Sequence, residues 1–252
     1  MDPIAPLIAN LTSEGRVRVW SLVITLFGDA VQHRGGRIAA AELLRLFQRI
    51  GIEEGTVRTA LSRLKSDGWV ERDREGRNSF YRLSAKGQAL TEEASPTIYR
   101  APLEDPQVWS LQVGAEPEKG FALAEGVWLV PGPPEGGIAV SGALSGQEKV
   151  ARTAISASHR QMLATLEEDL EAAAAGDLDP LSALAARTLL IHRWRRIALR
   201  FPDIPPTLML EDLPDPRAAL ARLYPRLFEA SEPCLDLPKT QGAKLVRFGV
   251  KL

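Results

Sequence analysis

The chain has 252 residues, 45% of them hydrophobic and 25% charged, with a formal net charge of −1; this is enough apolar material for a sizeable core and excludes a disordered chain. Its apolar runs fall short of the ~18 residues that a membrane helix needs, "MDPIAPLIANLTSEGR" lacks the basic and apolar regions of a signal peptide, and the single cysteine, Cys234, admits no intrachain disulfide. The expectation is a cytoplasmic protein without membrane contact. The small net charge hides an asymmetry: residues 1–90 hold 14 Lys and Arg against 10 Asp and Glu, and the remainder 17 against 22. A mildly basic head on an acidic body suits a head that meets phosphate.

In chain order, Val17, Trp20, Ile24, Phe27 and Val31 recur at three- and four-residue spacing and predict a helix over 16–34, stopped by Gly35-Gly36. A second helix fits Ala40 to Ile50, with Leu43, Leu44, Phe47 and Ile50 inward and Gly51 turning the chain. A third fits Glu53 to Asp67, its leading glutamates suited to the positive end of a helix. Trp69 to Leu83 reads as a β-hairpin around "DREG". A short helix is expected over Ser84–Glu93, then a proline-bearing linker, "ASPTIYRAPLEDP". "VWSLQV", "GVWLVPG" and "GGIAVSG" read as strands, and a long helix is expected from Gln147 to Ala175. Asp179-Pro180 and Asp215-Pro216 each look like an N-cap with proline at the first helical position. The fold class is α+β in three parts: a head over 1–94, a small β-rich centre over 95–145 and a helical tail over 146–252.

The third helix carries the chemistry. At 100° per residue, Val57, Ala60, Leu61 and Leu64 share an inward face, while Gly55, Arg58, Thr59, Ser62 and Ser66 face outward beside Arg63 and Lys65. Small and hydroxyl-bearing residues let a helix approach a groove, and arginines beside them reach base edges or phosphates; a helix that only needed solvation would carry more glutamate and lysine. Arg72, Arg74, Arg77 and Arg82 lie on or beside the tip of the hairpin, next to Asn78 and Ser79. Such a wing contacts the DNA backbone or the minor groove, although Glu71, Asp73 and Glu75 dilute its charge and cross-strand pairing is the plainer use for some of these arginines. Three helices and a hairpin in this order make a winged helix-turn-helix. Its candidate DNA contacts are Thr56, Arg58, Thr59, Ser62, Arg63, Lys65, Arg74, Arg77 and Asn78.

"TLFGD", then "VRTALSRLKSDGW" and "GRNSFYRL", taken with "LLIHRWRRIALRFPDIPPTLMLEDLPDP" much later, resemble the PaaX-type repressors, regulators of phenylacetic acid degradation. The resemblance is close over about residues 20–90 and weaker over 187–230. It implies repression and release by an aryl-CoA thioester such as phenylacetyl-CoA; a homodimer on a double-stranded operator is expected because one such helix covers only a few base pairs. The resemblance also implies a ferredoxin-like, Cas2-like centre. Only about seven residues separate "VWSLQV" from "GFALAEGVWLVPG", so the helix expected between these strands is nearly absent and the centre is abbreviated.

A phosphate-rich effector needs cations. His192 and Arg196 lie four apart on one side of the "IHRWRRIALR" helix with Arg193 close by, and the three are candidates; pairing with Glu167, Glu168, Asp169 and Glu171 is the structural alternative, and Trp194 points to the core. Direct competition at the head would be the simplest switch, but the resemblance implies separate DNA and effector sites. No catalytic residue, metal site or cofactor is expected. His33, His159 and His192 lie far apart, no HxxxH or CxxC occurs, and "VSGALSG" is not a nucleophile elbow. "GPPEGG" lacks the lysine of a phosphate loop, "VWSLQV" lacks a nuclease-like aspartate, and Cys234 reads as a packed thiol. The other class of function left open is an acyl-CoA-binding enzyme or scaffold whose winged helix mediates protein contacts.

Overall fold

The computed structural model describes residues 2–13, 15–134, 136, 138–209, 215–235 and 245–252. The architecture is mixed α and β, mostly helical, with small antiparallel sheets. Parts of "GPPEGG" and residues 210–214 of the later family-like segment lie outside the described residues.

In the head, α1 (Ala5–Ser13), which no sequence pattern predicts, buries Leu7 and Leu11 against the tail. The helix expected over 16–34 is α2 (Val19–Leu26), continued by a π-turn over Phe27–Val31 and a 3₁₀ turn over Gln32–Arg34, and ended by Gly35 at φ 83°. The widened π-turn directs Asp29 inward. A short strand β1 (Arg37–Ala39) leads into α3 (Ala40–Arg49), which buries Leu43, Leu46 and Phe47; Leu44 is only half-buried. Gly51 at φ 82° then turns the chain into α4 (Glu54–Ser66). Val57, Ala60, Leu61 and Leu64 are the buried residues of α4, as the helical wheel requires. The hairpin is β2 (Val70–Glu75) and β3 (Asn78–Leu83), and β1 joins it in the order β1-β3-β2.

α5 (Ala85–Ile98) is longer than expected. Ser84 caps it by accepting from the Gly87 amide at 3.1 Å, and it runs on through Pro96 into the segment read as linker. Gly87 is obligatory there, because a Cβ would lie 2.3 Å from the Trp69 carbonyl oxygen. The centre is a four-stranded antiparallel sheet of β4 (Trp109–Val113), β5 (Phe121–Ala124), β6 (Val127–Pro131) and β7 (Ile138–Gly142), in the order β5-β6-β4-β7. Residues 114–120 join β4 to β5 without a helix.

The helix expected over 147–175 breaks into α6 (Gln147–Ala154) and α7 (Ala157–Ala175), because Ile155 leaves helical geometry and Ser156 starts a new helix by accepting from the His159 amide. α8 (Pro180–Ala198) and α9 (Pro216–Ser231) begin at the Asp179 and Asp215 caps read from the sequence, each aspartate accepting two amide protons at 2.8–3.2 Å. The chain ends in a small hairpin, β8 (Val246–Arg247) and β9 (Val250–Lys251).

α8 is buried along nearly its whole length, and one hydrophobic core runs from Ile4 in the head through α8 and α9 to Phe248. A polar bolt passes through it. Asp29 Oδ1 accepts from the Tyr99 and Tyr224 hydroxyls, both at 2.7 Å, and Oδ2 accepts from Arg187 Nε at 2.6 Å. Arg187 also donates to the Asp29 carbonyl at 2.8 Å and to Ser231 Oγ at 3.1 Å, with Glu232 at 3.4 Å. Arg187 and Asp29 are fully enclosed. Burial works against ionising Asp29, but Arg187, Arg247 and the two tyrosines together hold its carboxyl below the usual range, and the same enclosure pushes both tyrosine hydroxyls well up. One carboxylate thus joins the π-turn, α8, α9 and the residue after α5.

Candidate nucleic-acid interface

Packing Val57, Ala60, Leu61 and Leu64 inward forces Gly55, Thr56, Arg58, Thr59, Ser62, Arg63, Lys65 and Ser66 outward, and all are exposed. Hydrogen bonds within the helix arrange several of them. Arg58 pairs with Glu54 at 2.6 Å, Arg63 approaches Asp67 at 3.6 Å, and the Thr59 hydroxyl donates to the Gly55 carbonyl at 2.8 Å. Exposed i,i+4 pairs of this kind contribute only about 0.3–0.5 kcal/mol, so an incoming phosphate or base edge competes with them easily.

The hairpin divides its arginines into two sets. Arg82 pairs with Glu71 at 2.7 Å and Asp73 at 3.0 Å, Arg72 donates to Ser79 at 2.7 Å, and Arg37 of β1 pairs with Glu75 and lies over the Phe80 ring. These are cross-strand uses. Arg74 and Arg77 are exposed at the tip beside Asn78 and have no carboxylate partner among the described residues.

The three tail residues separate. Arg193 is buried and donates to Asp169 Oδ2 at 2.6 Å, inside the acidic stretch offered as its structural partner. His192 is also buried, its Nδ1 3.3 Å from Thr25 Oγ1. Burial, with Arg195, Arg196 and Arg193 nearby, pushes its pKa down to about 3, so it is neutral at pH 7. Arg196 is exposed. His192 and Arg196 line an open groove of about 1300 Å³ whose other wall is α4 itself, through Gly55, Thr56, Thr59 and Arg63. The structure therefore brings two of the three tail residues to the outward face of α4 rather than to a remote place on the body. Arg16, Arg18 and Arg200 line the same groove, and sequence reasoning does not find them. No periodicity marks them, since they lie in segments flanking helices.

Among the described residues no cluster of three His, Cys, Asp or Glu could hold a metal ion, and no helix is long and apolar enough to cross a membrane. Cys234 is partly buried, with Arg45 at 3.5 Å from its sulfur, and burial pushes the thiol up.

Comparison with known proteins places these elements. A family model described as "PaaX-like protein" matches residues 18–87, which hold α2 through the hairpin, and one described as "PaaX-like protein C-terminal domain" matches 151–236, which hold α7, α8 and α9. The chain belongs to the PaaX-like family. "Transcriptional repressor PaaX" of Escherichia coli (strain K12) is 49% identical over 81 residues, 32% of this chain and 26% of that protein. The match thus spans about a quarter of the length of that relative. Among solved structures, "Uncharacterized protein Rv0674 from Mycobacterium tuberculosis" aligns with 85% of this chain and 97% of its own at 19% identity, with a TM-score of 0.49. The family assignment gives the buried bolt a context: Asp29 belongs to "TLFGD" in the first matched region, while Arg187, Tyr224 and Glu232 belong to the second.

Proposed function

We propose that the chain is a sequence-specific DNA-binding transcriptional repressor of an aromatic-acid, phenylacetate-type catabolic operon, released from its operator by an aryl-CoA thioester. In this reading α3, α4 and the hairpin are a winged helix-turn-helix, with α4 in the major groove and the hairpin as wing. The observation that carries it is the outward face of α4. Its small and hydroxyl residues sit between arginines held by weak surface pairs, next to a hairpin whose tip arginines lack carboxylate partners among the described residues. The name of the E. coli relative supports repression as the outcome. Arg58 and Arg63 reach base edges or phosphates, Thr56, Thr59 and Ser62 allow close approach, Lys65 meets the backbone, and Arg74, Arg77 and Asn78 engage the flanking groove.

One α4 covers only a few base pairs, so the proposal includes a two-fold dimer on an inverted repeat, its reading helices about 34 Å apart. The effector is phenylacetyl-CoA or a related thioester, with His192 and Arg196, which line the groove beside α4, as its candidate tail contacts. Arg193, occupied by Asp169, positions α8 against α7 instead. The test is a mobility shift of the chain's own upstream region, with and without phenylacetyl-CoA. Binding that the thioester reverses supports the reading, and an Arg58→Ala/Arg63→Ala variant with wild-type affinity removes α4 from it.

A further inference from the structure

Two sets of exposed arginines frame α4, and only one of them lies on the hairpin. Arg16 and Arg18 lie in the segment that enters α2, and Arg200 lies just past the end of α8. All three are exposed, line the groove beside Thr56, Thr59 and Arg63, and have no carboxylate partner among the described residues. Their neighbours in the head are matched locally: Arg58 by Glu54, Arg63 by Asp67, Arg82 by Glu71 and Asp73. Glu53 is the one carboxylate among the described residues that line the groove, and no hairpin residue reaches it. Positive potential is therefore concentrated at a second place beside α4, brought there by segments about 180 residues apart in the chain.

We infer that Arg16, Arg18 and Arg200 form a second phosphate clamp, which holds the sugar–phosphate backbone of duplex DNA along the flank of α4 that the hairpin does not reach. The inference rests on the proposed DNA reading of α4. A helix seated in a major groove about 12 Å wide has a phosphate strand on either side of it. Arg74 and Arg77 provide cations for one side only. The groove supplies the other, and its open shape admits a continuous strand. Guanidinium groups suit the task because each presents a planar fork that matches two phosphate oxygens. Phosphate contacts fix register and strength but carry no sequence information. The tail helix thereby contributes to DNA binding directly, through the residue that follows it.

The test uses the full-length chain, an upstream duplex and a scrambled duplex of equal length, with affinity measured by fluorescence anisotropy across a salt series. An Arg16→Ala/Arg18→Ala/Arg200→Ala variant is expected to bind both duplexes more weakly by a similar factor. Its dependence of log affinity on log salt should be shallower by about 0.9 for each phosphate that the variant no longer neutralises. The three side chains are exposed, so the thermal midpoint should stay at the wild-type value, and the corresponding lysine variant, which keeps the charge, should recover the wild-type slope. An unchanged slope with unchanged affinity would overturn the clamp, as would a weakening confined to the upstream duplex. Calorimetry with phenylacetyl-CoA on the same variant separates the other source of phosphate: abolished thioester binding with intact DNA binding assigns the groove to the effector and overturns the clamp. A wild-type chain that binds neither duplex defeats the underlying reading of α4, an outcome distinct from a clamp variant that behaves like wild type.

Discussion

Replacing Asp29 by Asn tests how the head is fastened to the tail. The carboxylate receives three short hydrogen bonds, from Arg187 Nε at 2.6 Å and from the Tyr99 and Tyr224 hydroxyls at 2.7 Å. Asparagine keeps the shape but has one acceptor oxygen and an NH₂ group that must face at least one of these donors. Arg187, fully enclosed, then keeps only Glu232 at 3.4 Å as a charged partner among the described residues. Breaking a buried ion pair from one side costs about 3–5 kcal/mol, because a charge is left uncompensated, and a broken hydroxyl bond adds about 0.5–1.5 kcal/mol. Against a total stability of about 5–15 kcal/mol for an ordinary folded domain, Asp29→Asn should shift the urea midpoint far down or leave the chain largely unfolded. Removing the orphaned charge as well should repair part of the damage, so Asp29→Asn/Arg187→Met should be no less stable than Asp29→Asn alone. Equilibrium urea unfolding followed by tryptophan fluorescence measures both. A cost below about 1 kcal/mol for Asp29→Asn, with cooperative unfolding retained, would refute the view that this bolt holds the two ends together.

Arg63→Ala should weaken operator binding by about 1–3 kcal/mol in anisotropy titrations, and Arg74→Ala/Arg77→Ala should weaken operator and scrambled duplex alike. Gly87→Ala places a Cβ 2.3 Å from the rigid Trp69 carbonyl, whereas Gly28→Ala meets the Thr91 methyl at 2.6 Å; thermal unfolding should show both destabilised, Gly87→Ala the more, by about 1–3 kcal/mol or above. His192 titrates near 6.5 in the unfolded chain and at about 3 when folded, so the unfolded state binds the extra proton between these values and stability falls as pH drops through that window. A His192→Gln variant should lose less stability than wild type between about pH 7 and about pH 4; equal losses in urea titrations would remove His192 from that account.

Much of the local structure is legible in the sequence because it is written in short-range patterns. The four inward residues of α4 follow from a 3.6-residue repeat, and the Asp-Pro pairs mark the starts of α8 and α9. What escapes is long-range or strained. Nothing in "GDAV" announces a π-turn, and the partners that Asp29 meets inside, Arg187 and Tyr224, lie more than 150 residues away. Pro96 reads as a helix breaker, yet α5 continues through it to Ile98, where the Trp194 indole donates to the Ile98 carbonyl at 2.7 Å. α1 escapes because nine residues with two buried leucines leave little periodicity. At the interface, residue types on α4 show which face is outward. That this face shares a groove with His192 and Arg196 depends on α2 packing against both α4 and α8, an arrangement no local pattern contains.

The unbroken core has a mechanical corollary. α4 packs on α2, α2 on α8, and Asp29 rivets that stack to α9, so the outward face of α4 stands on the same core as the tail. Head and tail are thus cut from one piece, like a key's bit and its shank. A severed head would carry away one half of a seam, with α1 and α2 stripped of the surface that completes them. The tail is therefore part of what completes the core of the head.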